Sequence, residues 1–467
     1  MPTLSEAFQG AVAGSADSEF IVAMGQDQRA IKRSSVLGAS ERVRLQLDRL
    51  NLDFLWLDAE ALSARSVGAV YLLLGAICSV STSILFVRGL PTRDEMVALG
   101  GRHGVLRRGE IVVSSTETDR ISVEPGIGVE TSGTTGRRRL VLHARSTALA
   151  AISRVVEVGS PTGLTVASCF PMSTIGGVVS ALRCALTGDV LTLWAIDARD
   201  SWPFDDSSIG IVASPSAFAP SVARLPTPLP MVSFGGGPIA QKVLRKIAAV
   251  TPVVVGYGMT ETFGAVTLAS SHGSDIDLGL GNPLSGVQIR LSEPFDHATP
   301  DVRQIEVLPG FDPPWILDRS SAILGRGWTS RWFRTGDCAK VGSSGDLVYA
   351  GRGDDVIVRG GRAFRMGHLN ATLAKCAPGA YAVKLVELST DGSEQFLVVL
   401  PAEIAAAGRR RILSRLRLEH GIAPASVVEG PVADSRHGDG WSARRVSGDE
   451  VLPNLSQRLR HLPGAPA

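Results

Sequence analysis

Pro252-Val253-Val254-Val255-Gly256-Tyr257-Gly258-Met259-Thr260-Glu261-Thr262 passes from an unbroken β-branched run into a turn punctuated by two glycines. A strand with one solvated face alternates apolar and polar residues, whereas a run that is apolar at every position is buried on both faces, as in parallel sheets covered by helices. The same texture recurs in FLWLD (Phe54 to Asp58), ILFVRG (Ile84 to Gly89), LTVASCF (Leu164 to Phe170), DVLTLWA (Asp189 to Ala195), IGIVAS (Ile209 to Ser214) and MVSFGG (Met231 to Gly236). Helix-like segments separate these runs. The pattern predicts an α/β fold of layered, mostly parallel sheets with flanking helices. Several runs end in Gly- or Ser-rich turns, and ligands of such folds gather beyond the carboxyl ends of the strands.

With 467 residues the chain is too long for one compact core, and its texture changes near Gly351. GRGDDVIVRGGRAF (Gly351 to Phe364) reads as a connector. A helix from His368 to Cys376, the strands AVKLVEL and QFLVVLP and the helix EIAAAGRRRILSRLRLEHG then make a small α+β unit. The expected division is 1–351 for a large core and 352–467 for a small C-terminal domain, whose polar tail after Pro431 reads as loop. Val67 to Val87 is apolar enough to resemble a membrane span, but Ser79, Ser81, Thr82 and Ser83 interrupt it. It reads as a buried helix ending near Cys78, a turn, and a buried strand through ILFV, so no membrane span is expected.

The formal net charge is +2, which provides no basic field for nucleic acid. Five cysteines (Cys78, Cys169, Cys184, Cys338, Cys376) without close spacing read as reduced core residues. The first residues are acidic early and lack a basic segment before an apolar one, which is not the pattern of a signal peptide. A cytoplasmic location is expected.

Three motifs carry chemistry. Thr131-Ser132-Gly133-Thr134-Thr135-Gly136, followed by Arg137, Arg138 and Arg139, offers backbone N–H groups, hydroxyls and guanidinium forks to anionic oxygens. It lacks the Gly-Lys-Ser/Thr of a Walker loop, and a plain surface loop has the same composition. Gly256 to Thr262 places Tyr257 after a buried strand, where its ring can lie against a nucleobase. Thr260 can donate to phosphate and Glu261 can hold Mg²⁺ through oxygen; the alternative is a strand-to-helix turn with a capping Thr. Arg334-Thr335-Gly336-Asp337 and Gly351-Arg352-Gly353-Asp354-Asp355 supply an Asp suited to a ribose diol, or else two Gly/Asp hairpin turns.

In order and spacing these motifs resemble the acyl-adenylate-forming superfamily: acyl-CoA synthetases, nonribosomal-peptide adenylation domains and beetle luciferases. The resemblance runs from about Asp53 to Arg445 and includes FPMSTIGG (Phe170 to Gly177), SFGGGPI (Ser233 to Ile239) and GNPLSGVQIR (Gly281 to Arg290). It implies that Thr131, Ser132, Gly133, Thr134, Thr135 and Gly136 form a phosphate loop, with Thr134 and Arg139 acting in catalysis. It also implies that Gly235, Gly236 and Gly237 pass beside adenine, that Tyr257 and Gly258 bind the base, and that Thr260 touches the α-phosphate. Glu261 would bind Mg²⁺, Asp337 and Arg352 would hold the ribose, and Asp354 would be the hinge of a mobile small domain. The implied reaction is attack of a carboxylate on the α-phosphorus of Mg-ATP, followed by acyl transfer to CoA, to the phosphopantetheine of an acyl or peptidyl carrier protein, or to an amine. Met172, Thr174, Phe218 and Phe234 are the expected pocket wall. FPMSTIGG holds no Asp for an α-amine, which favours an aryl or short acyl acid over an amino acid.

The chain departs from the family in its charges. The family's late lysine, in a Gly-Lys-x-x-Arg setting, aligns with Trp441 of Gly440-Trp441-Ser442-Ala443-Arg444, and no lysine follows Lys384. Arg444 is the expected substitute, although a guanidinium fork is not equivalent to a compact ammonium. Arg138 and Arg139 replace Pro-Lys, His368 and Asn370 replace two glutamates, and Thr174 replaces a histidine. The alternatives are a divergent active enzyme, a user of preformed adenylate, an activator of a non-carboxylate acid such as nitrite, and a protein that only binds nucleotide.

Overall fold

A computed structural model of the chain describes residues 19–23, 29–58, 67–107, 110–122, 124–131, 138–158, 163–193, 209–213, 229–237, 241–271, 279–294, 301–342, 345–352, 356–359, 362–377, 380–388, 394–401, 404–420, 424 and 426–429. The polar tail after Pro431 lies outside them.

Each run read as a strand from its apolar texture is a strand. The longer of two large sheets has nine strands. From edge to edge they are Asn282–Pro283, Gly264–Ser271, Val253–Met259, Val232–Phe234, Ile209–Ala213, Thr165–Ser168, Val190–Leu193, Glu19–Ala23 and Arg29–Lys32. Its five central pairings are parallel, and its edges are antiparallel. The eight-stranded sheet runs Ile323–Arg326, Trp315–Asp318, Arg139–Ala144, Gly126–Thr131, Ser83–Val87, Phe54–Asp58, Arg102–Arg107 and Glu110–Ser115. There the parallel centre is smaller, with three parallel pairings against four antiparallel ones. Short connections account for antiparallel edges: the turn Thr260–Phe263 in the nine-stranded sheet can only reverse the chain, because a parallel neighbour needs a crossover of roughly a dozen residues or more.

Both faces of the eight-stranded sheet are covered, as the unbroken apolar runs require. Leu55, Leu57, Ile84 and Phe86 point into one core with the helices Arg33–Leu50, Val67–Cys78, Arg145–Glu157 and Ile175–Thr187, which also packs Val166, Leu191 and Leu193 of the nine-stranded sheet. Their strand neighbours Phe54, Trp56, Leu85 and Val87 point the other way, into a second core with Leu99 at the end of the helix Arg93–Leu99. That short helix is set by a capping box, in which Thr92 accepts from the Glu95 N–H and the Glu95 carboxylate accepts from the Thr92 N–H. The helix Ile175–Thr187 starts at a Thr174 cap and stops at Gly188, which takes a left-handed φ of 81°.

Val67 to Val87 resolves into the helix Val67–Cys78, a bend and the strand Ser83–Val87. The serines and threonine that interrupt it are used locally. Ser79 Oγ donates to Asp48 Oδ1 at 2.6 Å and Thr82 Oγ1 to the Leu52 carbonyl at 2.9 Å. Among the described residues no helix is long and apolar enough to cross a membrane. All five cysteines are described and none is in a disulfide; Cys184 and Cys338 are buried. Burial pushes the Cys184 thiol up to about 12, which leaves it a core residue.

The chain divides into two compact units. The first comprises residues 1–131, 138–289 and 307–333 and contains both large sheets; the second comprises 132–137, 290–306 and 334–467. The second unit carries the strands Phe333–Val341 and Leu347–Arg352, the hairpin Val356–Arg359 with Arg362–Arg365, and the helices Met366–Cys376 and Ala406–His420. A three-stranded sheet of Tyr381–Leu388, Glu394–Leu400 and Ser426–Glu429 completes it, around a core of Met366, Leu369, Phe396, Val398 and Leu416. This is the small α+β arrangement expected from the sequence. Asn370 accepts from the Ala382 N–H at 2.6 Å and ties helix to strand.

Candidate active site

In the first unit the candidate residues meet at the carboxyl ends of neighbouring parallel strands. Val232–Phe234 and Val253–Met259 run in register, with Phe234 opposite Val255, so Gly235 to Gly237 emerge beside Gly256 and Tyr257. A methyl group added to Gly235 would lie 3.6 Å from the Gly256 carbonyl, and one added to Gly236 would lie 3.5 Å from the Phe170 ring. Three motifs distant in sequence thus share one rim, where helices and strands leave backbone groups free to face a ligand.

Beyond Tyr257 the chain makes a tight reversal. Gly258 has no room for a side chain, since a Cβ there would lie 2.0 Å from the Gly264 carbonyl oxygen. Thr260–Thr262 form a single 3-10 turn, and Phe263 follows with a φ of 52°, which a bulky residue adopts only when its surroundings impose it. Thr262 Oγ1 accepts from the Met259 N–H at 3.1 Å and donates to the Gly264 carbonyl at 2.8 Å, closing the turn on itself. Glu261 and Tyr257 are largely buried, each 9% exposed.

The strand Arg139–Ala144 grips this turn from the eight-stranded sheet. Period-two alternation sends Leu140 and Leu142 into the outer core and leaves Arg139 and His143 on the opposite face. Arg139 Nη2 donates to Glu261 Oε1 at 3.1 Å. His143 Nε2 lies 2.7 Å from the Thr260 carbonyl oxygen, an acceptor, so this nitrogen carries the proton. Its ring meets Phe263 edge-on at 5.2 Å. Burial pushes the His143 imidazole down to about 4, against the opposing effect of the Thr260 hydrogen bond, and keeps it neutral.

Thr131 ends the strand Gly126–Thr131 directly opposite Arg139, so the loop between them closes a hairpin. Ser132, Gly133, Thr134, Thr135 and Gly136 lie outside the described residues. At the feet of the loop Thr131 Oγ1 and Arg139 Nε are buried with no hydrogen-bond partner among the described residues. A donor hydroxyl and a guanidinium edge left unsatisfied in one place suit an anion.

Met172 and Phe234 are buried to 1% and 2% exposure, and Met172 belongs to the main core. The Thr174 hydroxyl donates to the Pro171 carbonyl at 2.8 Å and accepts from the Gly177 N–H at 3.3 Å, which commits it to the helix start. Phe218, Asp354, Trp441 and Arg444 lie outside the described residues.

In the second unit the expected ribose pair is brought together by strand register. Asp337 and Arg352 are Cα partners across the antiparallel strands Phe333–Val341 and Leu347–Arg352. Asp337 is buried, its N–H donates to Thr335 Oγ1 at 3.0 Å, and Tyr349 Oη approaches its Oδ1 at 3.5 Å.

Glu261 fits a Mg²⁺ ion that arrives with phosphates. Among the described residues no three carboxylate, His or Cys groups cluster to form a protein-only cage. One hard carboxylate oxygen suits such an ion, which takes most of its remaining ligands from phosphates and water. His143, Glu130 and Arg319 had not stood out in the sequence. The signal for His143 was its even spacing from Arg139 on a short strand; no sequence signal marked Arg319.

A family model described as AMP-binding enzyme matches residues 131–301. A putative acyl–CoA ligase (YdaB) of Bacillus subtilis strain 168 is 25% identical over 273 residues, 52% of each chain. The malonate–CoA ligase of Arabidopsis thaliana is 24% identical over 322 residues, 62% of this chain and 52% of that one. The chain spans about half the length of these relatives in the matched segments. Among solved structures, the O-succinylbenzoate coenzyme A synthetase of Bacillus subtilis in complex with ATP and a magnesium ion superposes with a TM-score of 0.68 at 17% identity, covering 91% of this chain and 95% of that one. This likeness establishes the fold.

Proposed function

We propose, from the match of residues 131–301 to the AMP-binding enzyme family, that the chain activates a carboxylic acid with ATP and passes the acyl group to a thiol. The carboxylate oxygen bonds to the α-phosphorus, pyrophosphate leaves, and the thiol sulfur then displaces AMP from the acyl carbon. The observation that carries this reading is the shared rim of Gly235–Gly237 and Tyr257–Glu261, with Arg139 on the Glu261 carboxylate.

On this reading the Tyr257 ring lies against adenine and the backbone of Gly235 to Gly237 gives it room. Thr131 to Gly136 wrap the β- and γ-phosphates, Thr260 donates to the α-phosphate, and Asp337 with Arg352 holds the ribose hydroxyls. Glu261 would hold Mg²⁺, which would supply positive charge to the triphosphate, and Arg139, which donates to Glu261, would lend its guanidinium to the same phosphates. The segment 352–467 turns about Asp354 between the two half-reactions. Catalysis is positioning and electrostatic stabilisation of charge on phosphate.

FPMSTIGG offers no carboxylate to an α-amine, and Thr174 spends its hydroxyl on the helix cap. An aryl or short acyl acid is therefore the substrate class, with CoA or the phosphopantetheine of a carrier protein as acceptor, in a biosynthetic and cytoplasmic setting. A second reading rests on Trp441: without the late lysine, the chain activates a non-carboxylate acid, transfers to an amine, or binds nucleotide without adenylation. Pyrophosphate exchange over a panel of aryl, acyl and amino acids, with hydroxylamine trapping, tests the proposal. Acid-dependent exchange is expected, and nucleotide binding without exchange for any acid favours the second reading.

A further inference from the structure

The turn that carries Thr260 and Glu261 is strained and is held from the neighbouring sheet. Phe263 takes a left-handed φ of 52° and Gly264 one of 95°, and the pairing of Val253–Met259 with Gly264–Ser271 shifts register between Tyr257 and Gly258. Such a backbone persists only where its surroundings over-determine it. The Thr260 carbonyl is the junction. It accepts from the Phe263 N–H at 3.1 Å and from His143 Nε2, on the eight-stranded sheet, at 2.7 Å. The first bond closes the turn, and the second fixes where the turn stands.

The imidazole is itself held firmly. Its strand, Arg139–Ala144, is paired on both sides, with Gly126–Thr131 and with Trp315–Asp318. Arg319 pins the start of that strand: its backbone N–H donates to the Arg138 carbonyl at 2.9 Å, and its guanidinium donates to Glu130 and Glu95. The His143 ring stands edge-on to Phe263 at 5.2 Å and to Phe311 at 6.3 Å. Phe311 in turn lies under the Arg154 guanidinium, whose Nη1 donates to the Pro309 carbonyl at 2.6 Å. Packing against two rings fixes the imidazole plane and with it the direction of the Nε2–H.

Arg139 and His143 reach the turn from one face of one strand, but their partners differ. Arg139 bonds the Glu261 carboxylate, the group suited to Mg²⁺, so a cation there competes with that bond. His143 bonds a backbone carbonyl, which leaves the carboxylate free. Burial keeps its ring neutral, so it places no positive charge beside the cation. We propose that His143 is a positioning residue, whose Nε2–H holds the Thr260 carbonyl and thereby aims the Glu261 carboxylate at the metal of a metal–nucleotide. The proposal rests on the nucleotide-binding reading of this turn.

The test uses the full chain carrying His143→Phe or His143→Gln. A residue that only fills the core is replaced better by Phe, which packs, than by Gln, which buries an amide. A residue that acts through its N–H gives the opposite order, because the Gln amide supplies a donor in place of Nε2. Calorimetry at fixed ATP gives the Mg²⁺ concentration that half-saturates ATP binding. AMP affinity without Mg²⁺ reports the rest of the nucleotide site. In His143→Phe the Mg²⁺ midpoint should rise at least about fivefold, with AMP affinity within about threefold of wild type. In His143→Gln the midpoint should stay within about twofold of wild type. A wild-type midpoint in His143→Phe, a Gln variant as impaired as the Phe one, or equal losses for ATP and AMP overturns the proposal. If His143→Phe does not fold, His143→Met, unbranched and without an N–H donor, should show the same shift, and a wild-type midpoint in it sinks the idea. A wild type that binds neither nucleotide removes the nucleotide-binding reading itself, whereas wild-type binding of both with unchanged variants removes only the role of His143.

Discussion

The buried imidazole of His143 makes the turn that carries Thr260 and Glu261 sensitive to acid. The ring is 1% exposed, its Nε2 donates to the Thr260 carbonyl at 2.7 Å, and its Nδ1 has no partner among the described residues. Protonation would place an unpaired N–H and a charge in the core. The folded pKa of about 4 lies below the ordinary 6.5, so between these values the unfolded chain holds a proton that the folded one lacks, and stability falls as pH falls. The whole window is worth about 3 kcal/mol, and the part lost between pH 8 and pH 5 is about 2 kcal/mol. His103, accepting from Trp56 Nε1 at 3.0 Å and likewise pushed down to about 4 by burial, contributes in the same direction. Urea unfolding of wild type and His143→Gln at the two pH values isolates the His143 share. The variant should lose about 2 kcal/mol less than wild type on acidification. His143→Phe should show the same shallow pH dependence. It should also be about 1–3 kcal/mol less stable than wild type at pH 8, because the Thr260 carbonyl loses its donor. If His143→Gln keeps the full wild-type pH dependence, the ring is not held neutral at this site and the argument fails.

Asp337→Ala should weaken nucleotide binding by about 1.5–3 kcal/mol, the value of one or two charge-assisted hydrogen bonds, as read by calorimetry. Glu261→Gln should abolish the dependence of ATP binding on Mg²⁺ while leaving AMP binding close to wild type; a magnesium titration at fixed ATP decides. Gly258→Ala should cost about 1–3 kcal/mol in urea unfolding, because its methyl group meets the Gly264 carbonyl; a neutral result would mean that the reversal can open. Trp441→Lys should raise pyrophosphate exchange by roughly two orders of magnitude if the late position faces the reacting carboxylate, and an unchanged rate removes Gly440–Arg444 from the site.

Texture alone located the layers. FLWLD and ILFVRG are apolar at every position because Leu55 and Phe86 face one core while Trp56 and Leu85 face another. The break in Val67 to Val87 was legible because Ser79, Ser81, Thr82 and Ser83 interrupt the apolar run, and Ser79 and Thr82 are spent on Asp48 and the Leu52 carbonyl. Antiparallel flanks were less legible, since a buried run has the same composition whichever way its neighbour points. At the candidate site, the strand-to-turn shape of Gly256 to Glu261 could be read from type and order. His143, Glu130 and Arg319 could not, because their roles come from pairing across strands. Glu95 and Arg319 meet across 224 positions of sequence, and Arg139 and Glu261 across 122. A single Arg after a Trp-Ile-Leu-Asp strand looks like any surface arginine until the register puts its backbone on Arg138.

The same pairings bear on which cation can stand in for the late lysine. Arg138 reaches the Arg88 carbonyl at 2.9 Å and lies 4.0 Å from Glu130, an acid that Arg319 and Arg88 already neutralise. Its side chain is 55% exposed, so its departure would leave little behind, but nothing in the cluster ties that departure to nucleotide. Arg139 is different, because its partner is Glu261, the carboxylate that suits Mg²⁺. Leaving Glu261 without a counter-ion is costly in a site only 11% exposed, so Arg139 stays in place until another cation arrives. Of the two described arginines, Arg139 is thus the one tied to the carboxylate that would hold Mg²⁺, and on the proposed reading it is the better candidate to supply positive charge to the phosphates.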